Sequence, residues 1–499
     1  MNNLNQLWNE DLNFPTKRIA IIGAGISGLI SGALLKKEGF KTKIFERNQS
    51  YGGVWEIGYS NLKLQSPSNL YQIPFFKPTQ EWSEYPCALE IRNYINEFVD
   101  QNNLHDDIHC SHEVISISQG SKRTITYKYN GEVFSEEFDF VIISTGVFSD
   151  ARVPKVKGEE KFKGTITHTS KFYNSEITAG KNAVVVGLGK SSLDCMNAIK
   201  DKAAGVTFLY RTLYWPIPEY IEVGSKKLRP DEFLSNRFMI TIKNGSPPRD
   251  NDPLERFAHK TKLGKKIVEK IFTSYENKIE DLYHLSELGM RPEKRIQDDV
   301  YATFIAPLEV YKGFHSGKIA YHKEEIAEMK ENSLITTEGR EVPCDVLVFG
   351  TGFSPKMNFL HPNDLKALFD YDEEVIYLYR SIINPKIPNL AFIGFMPTLC
   401  NPLTSALSVL WLIKVFKEEI SLNNSEMMKG LHEDSGINKA FHQKCNMKIK
   451  GNLIKDLHLY DSLVEDMREK SRRKGGNKWE EYFATYTPDD YSELFSAYM

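Results

Sequence analysis

Short, mostly apolar runs punctuate the chain, and most of them end at a glycine-bearing turn. Arg18–Ile22, Phe138–Ser144, Asn182–Val186, Val206–Leu209, Asp345–Phe349 and Leu390–Gly394 are such runs. Each is shorter than a core helix and lacks the alternation of a half-exposed strand, so it predicts a strand buried on both faces of a parallel sheet. Between the first run and a second strand at Thr42–Phe45, the apolar positions take a helical period that stops near Gly39. Asn182 to Leu209 repeats this strand–helix–strand order. The patterning predicts an α/β fold with two Rossmann-like units.

The turn of the first unit is Gly23-Ala24-Gly25-Ile26-Ser27-Gly28. Gly23 permits the tight turn, Gly25 lets backbone amides approach a pyrophosphate, and Gly28 lets helix and strand pack closely. The helix N-terminus then offers unpaired N–H groups and a partial positive charge to phosphate. Glu46 follows 18 residues after Gly28, about where a carboxylate accepts from a ribose hydroxyl. Ser27 and Arg47 fall in the same stretch and join the candidate nucleotide contacts. Beyond it, Gly52-Gly53-Val54-Trp55 makes a turn whose Trp could cover a flat ring or simply be buried.

The second unit reads Gly187-Leu188-Gly189-Lys190-Ser191-Ser192, with a serine in the place of the third glycine. Its second strand ends at Arg211, where the first unit has an acid. An acid would repel a 2′-phosphate, whereas a guanidinium holds one with paired, charge-assisted hydrogen bonds. This unit favours NADPH, and a surface charge at a strand end is the plainer alternative for Arg211. FAD suits the first unit, because near-N-terminal units of this kind commonly hold its ADP half. Two such sites make sense if a hydride passes from nicotinamide to flavin. Two further strands end in Thr-Gly, at Thr145-Gly146 and at Thr351-Gly352-Phe353, where an open α/β sheet meets its ligand.

Composition removes several alternatives. Lys and Arg number 63 against 66 Asp and Glu in 499 residues, so no basic excess points to nucleic acid. The polar Met1–Asn13 shows no signal-peptide core. Leu403–Ile413, the most apolar run near the C-terminus, is too short to span a bilayer. Six scattered cysteines without a C-x-x-C fit a reducing cytosol and a cytoplasmic protein, and they offer no redox dithiol. His105 to His112 carries three histidines and a cysteine, but its alternation reads as a strand entering Val114–Ile117, which splays the ligands, so no metal is expected. Thr124–Phe134 reads as a hairpin turning at Asn130-Gly131. Helical, charge-rich sequence fills about 219–300, and Arg472-Arg473-Lys474 reads as a solvated face.

Between the glycine turns stands Phe162-Lys163-Gly164-Thr165-Ile166-Thr167-His168-Thr169-Ser170-Lys171-Phe172. It matches F-x-G-x-x-x-H-x-x-x-[FYW], so the chain resembles the flavin-containing monooxygenases; with Trp last, the pattern marks Baeyer–Villiger relatives. The likeness runs from about residue 17 to 416. It takes in the glycine turns, the Gly-Gly-Val-Trp turn, Phe349-Gly350-Thr351-Gly352-Phe353 and Tyr379-Arg380-Ser381. It implies a Class B enzyme: NADPH reduces FAD, dioxygen adds at flavin C4a, and one oxygen passes to a soft nitrogen or sulfur. In the family an asparagine in the Leu62–Phe76 loop helps hold the peroxide; the matching position here is Gln65. Arg380 stands either beside the flavin or in a structural ion pair, and His168 either orients the interdomain linker or moves a proton.

The resemblance divides the chain into an FAD domain (1–150 and 355–499) and an NADPH domain (151–354) carrying the helical insertion. Its partners are a small-molecule substrate and dioxygen, with neither nucleic acid nor a membrane span, and a homodimer is compatible with it. Two other outcomes stay open: oxygenation of a ketone, and an NADPH oxidase that passes electrons to oxygen without product.

Overall fold

A computed structural model describes residues 17–58, 62–223, 226–229, 236–242, 253–298, 304–369, 376–396, 398–433 and 456–499. Met1–Asn13 and parts of the 219–300 stretch lie outside these residues.

The strands of the two main sheets are, in chain order, β1 (Arg18–Ile22), β2 (Lys41–Phe45), β3 (Ile108–His109), β4 (Phe140–Ile143), β5 (Thr165–His168), β6 (Asn182–Val186), β7 (Gly205–Leu209), β8 (Ile319–His322), β9 (Val346–Phe349) and β10 (Leu390–Phe392). The first sheet is ordered β10-β4-β1-β2-β3 and the second β8-β7-β6-β9-β5, every pairing parallel. The main helices are α1 (Ile26–Lys37), α2 (Ala88–Gln101), α3 (Lys190–Ile199), α4 (Arg237–Ile242), α5 (Pro253–Lys260), α6 (Lys262–Tyr283), α7 (Asn401–Phe416) and α8 (Asp456–Asp466). Each glycine turn therefore joins a central strand to a helix, as a doubly wound fold requires.

α1 and α7 cover one face of the first sheet, and both are apolar nearly all round because neighbours surround them. Leu407, Trp411 and Leu412 are fully buried, and each of the two leucines contributes about 1.5–3 kcal/mol. The opposite face is closed by a meander, Glu113–Ile117, Arg123–Tyr129 and Glu132–Phe138. The histidine stretch does not run on as one strand. β3 ends at His109, Ser111 takes a φ of +58°, and His112 stacks on Tyr129 at 4.2 Å. Side-chain alternation could not register that left-handed break.

Two buried ion pairs tie distant segments together. Arg123 (fully buried) meets Asp364 at 2.6 Å and also bonds the carbonyls of Ser118 and Pro388. Arg237, on α4 in the insertion, meets Asp461 on α8 through Nη1 at 2.6 Å and Nη2 at 3.0 Å, with Tyr486 alongside. The residues after 456 are thus part of the core. Arg473 and Lys474, read as solvated, lie against Glu493 and Asp490 with little exposure.

Removing one member of such a pair strands the other charge in low dielectric. Asp364→Ala is expected to cost about 3–5 kcal/mol, read as an earlier urea midpoint than for substitution of an exposed acid such as Glu132.

Candidate functional site

Both glycine turns open onto one cavity of about 1340 Å³. That exceeds the roughly 300–1,000 Å³ typical of a site for one drug-sized ligand. Gly23, Gly25, Ser27, Glu46, Arg47, Gly53, Val54, Trp55, Thr145 and Gly146 form its first wall. Gly187, Gly189, Lys190, Ser191, Arg211, Thr351, Gly352 and Phe353 form the second, and Gln65 stands on a loop at the end between them. Gly28 and Ser192 lie beneath the walls. A Cβ on Gly28 would sit 1.9 Å from the Gly23 carbonyl oxygen, so the close helix–strand approach needs glycine there. Ser192 is tolerated because its neighbour is Gly350, where a Cβ would fall 1.8 Å from the serine hydroxyl. The missing third glycine has moved across the turn.

Glu46 is 5 % exposed and accepts from the Ala24 amide at 2.9 Å and from Asn48 at 2.7 Å, which fixes the carboxylate at the tip of β2. Arg47 reaches back to Ser149 and Asp150. Burial opposes ionisation of Asp150, but the Lys356 amide, the Ser149 hydroxyl and Arg47 outweigh it and hold the carboxyl below its usual range. Trp55 is buried and donates to the Tyr71 hydroxyl at 2.8 Å; burial pushes that phenol up. Ser144 Oγ, Thr145 Oγ1 and Thr169 Oγ1 line the cavity as buried oxygens with no protein partner. Buried hydroxyls are normally bonded, so these fit a polar ligand that supplies the missing bonds, as a dinucleotide does.

The chain crosses between the sheets twice, just after Thr145-Gly146 and just after Thr351-Gly352. The crossings are bonded to each other: Arg152 N to the Gly352 carbonyl at 2.9 Å, Ser354 N to the Asp150 carbonyl at 2.8 Å, and Thr351 Oγ1 to the Arg152 carbonyl. His168 belongs to this joint. It is 3 % exposed, its Nε2 donates to the Gly352 carbonyl at 3.1 Å, and its Nδ1 accepts from the Ser170 amide at 3.1 Å. It is absent from the cavity wall. Of the two roles open to it, the geometry supplies the linker one.

Arg380 is likewise off the wall. It grips Asp466 at 2.8 Å through both Nε and Nη2, and Trp411 Nε1 donates to the same carboxylate. Of the three catalytic candidates, Gln65, His168 and Arg380, only Gln65 borders the cavity; its Oε1 accepts from the Ile305 amide at 3.2 Å.

Sequence reasoning missed the far end of the cavity. Tyr85, Ile217, Ile240, Ile305, Leu457, Tyr460 and Tyr486 line it, drawn from a loop, the insertion and the strands flanking it, and the last 50 residues. Tyr460 joins a hydroxyl chain through Thr404 (2.8 Å) to Thr398. The available signal was the spacing of Leu457, Tyr460, Asp461 and Val464, one face of a helix.

A family model described as flavin-binding monooxygenase-like matches residues 16–469. The chain belongs to that family. It is similar to the probable flavin-containing monooxygenase 1 of Arabidopsis thaliana, 26 % identical over 83 % of this chain and 84 % of that one. Among solved structures, cyclohexanone monooxygenase bound to ε-caprolactone superposes with a TM-score of 0.66, at 18 % identity over 91 % of this chain and 99 % of that one. S-allyl-L-cysteine S-oxygenase from Allium sativum gives 0.61, at 18 % identity over 97 % and 95 %. The protein is a flavin-dependent monooxygenase of the two-dinucleotide-domain fold, with FAD and NADPH as cofactors and a small molecule and dioxygen as substrates. Among the described residues no helix is long and apolar enough to cross a membrane.

Burial drives the His168 pKa from 6.5 down to about 4, against the pull of the Gly352 carbonyl. Between these values the unfolded chain binds the extra proton, so stability rises with pH. The histidine's contribution is complete above about pH 6.5 and is lost as the pH falls toward 4. His168→Gln is expected to flatten that part of a stability-against-pH curve measured by urea unfolding.

Proposed function

We propose that the enzyme oxygenates a soft nitrogen or sulfur of an apolar small molecule. One observation carries this reading: the two nucleotide walls and the aromatic end belong to one continuous cavity. An apolar substrate seated among Tyr85, Ile240 and Leu457 would therefore share one cavity with the nucleotides.

The β1–α1–β2 unit would hold FAD, with Gly25 and the start of α1 toward the pyrophosphate and Glu46 toward the ribose. The β6–α3–β7 unit would hold NADPH, with Arg211 toward the 2′-phosphate. When bound, FAD supplies the oxygen-activating chemistry, and no nucleophile of the chain is required. The protein's own task is placement and exclusion of water. Gln65 borders the junction between nucleotide walls and aromatic end, and its side-chain N–H groups are the donors it can offer to a reacting oxygen. The Arg237–Asp461 pair holds the insertion against α8 and so keeps the aromatic end shut. In this reading residues 1–150 and 355–499 form the flavin domain and 151–354 the NADPH domain.

Ketone oxygenation is the second reading, supported by the fold shared with cyclohexanone monooxygenase. Phe172, the last fingerprint residue, does not discriminate by contact: it is 5 % exposed within the core of the second sheet and off the cavity wall.

A balance of NADPH consumed against oxygenated product and hydrogen peroxide, across amines, thioethers and ketones, tests the proposal. An N- or S-oxide that accounts for most of the NADPH is expected. Ester formation would favour the second reading, and peroxide alone with every substrate would mean an oxidase. Gln65→Ala is expected to raise the peroxide share severalfold; an unchanged share removes Gln65 from the chemistry. Arg211→Ala is expected to raise the KM for NADPH about ten-fold, the worth of one charge-assisted hydrogen bond, and to leave the KM for NADH nearly unchanged. An equal rise for both would mean that Arg211 does not read the phosphate.

A further inference from the structure

The second nucleotide unit carries no acid of its own at the tip of β7, but the sheet brings one there from another strand. β8 lies beside β7 in parallel, with Leu209 opposite His322, and the Tyr210 amide bonds the His322 carbonyl at 3.0 Å. Both strands deliver their next residues to the same rim, and Arg211, Glu324 and Glu325 all line the cavity. Glu325 Oε2 lies 3.8 Å from Arg211 Nη1. Its backbone is pinned on both sides: the Glu325 amide donates to Thr337 Oγ1 at 3.3 Å, and the Thr337 amide donates to the Glu325 carbonyl at 2.9 Å.

Two neighbouring cations are matched in the same way. Lys190 meets Asp194 at 2.5 Å, and Arg340 meets Glu324 at 3.3 Å. A 2′-phosphate arriving at Arg211 would thus approach a carboxylate that the pinned backbone keeps near the same rim, whereas a plain ribose 2′-hydroxyl could donate to that carboxylate.

We propose that Glu325 is a specificity-determining residue for the nicotinamide nucleotide, tempering the preference that Arg211 confers so that NADH is accepted beside NADPH. This rests on the reading of the β6–α3–β7 unit as the NADPH site. The pair is solvated, with side chains 68 % and 60 % exposed, so its worth to folding is small. Its effect on an incoming phosphate is larger, because that ligand carries nearly two charges. Repulsion at a few ångströms in water-like surroundings corresponds to about a three- to ten-fold change in affinity.

The test uses the full-length flavoprotein and two probes without nicotinamide, adenosine 2′,5′-bisphosphate and 5′-AMP, titrated by calorimetry. Glu325→Gln is expected to tighten the bisphosphate three- to ten-fold and to change 5′-AMP less than two-fold. The difference should shrink at high salt. The kcat/KM ratio of NADPH to NADH should rise by the same factor, through KM. If Arg211→Ala weakens the bisphosphate while Glu325→Gln leaves it unchanged or weaker, the role of Glu325 is overturned and the NADPH site stands. If Arg211→Ala also leaves it unchanged, the site reading fails and the inference falls with it.

Discussion

Everything at this site depends on one constraint: two separate parallel sheets must point their carboxyl ends at the same space. Nothing in a strand–helix–strand unit fixes its angle to a second one. Here the angle is held by the two chain crossings, which bond to each other through Arg152, Gly352, Asp150 and Ser354 and are locked by the buried His168. Each crossing begins at a Thr-Gly turn on the cavity wall. The joint that orients the sheets is therefore the same backbone that lines the cavity.

The far end of the cavity is built on the opposite logic. Its side chains come from segments distant in sequence; Ile217 and Ile305 share a short parallel ladder, while the insertion and the residues after 456 are joined through side-chain charge. Arg237–Asp461 links the insertion to α8, and Arg380–Asp466 links α8 to the flavin side. Phe238 and Phe483 meet across the same boundary, ring centroids 4.9 Å apart and tilted by 31°. A buried pair of this kind adds little net stability but makes any separation costly. That suits a wall that must stay closed to water around a reactive site.

The glycine turns, and the places of Glu46 and Arg211 on the cavity wall, were legible in the sequence because a phosphate-binding turn is a local object. Its requirements fall on residues close together along the chain, and a substitution at one point, Ser192, is answered by Gly350 in the facing turn. His168 and Arg380 were legible as positions but not as roles. A fingerprint marks that a side chain matters, while its hydrogen-bond partners, Gly352 and Asp466, lie 184 and 86 residues away.

The sequence by itself determined the two dinucleotide units and their order, because apolar runs and glycines act within a single βαβ unit. The tertiary structure decided which residues share the cavity. It set Glu325 beside Arg211, brought Leu457, Tyr460 and Tyr486 to the cavity, and withdrew His168 and Arg380 from the wall. The reason is physical: a strand's neighbour in a parallel sheet, and a helix's partner across a domain boundary, are chosen by burial summed over the whole chain, which no local pattern records.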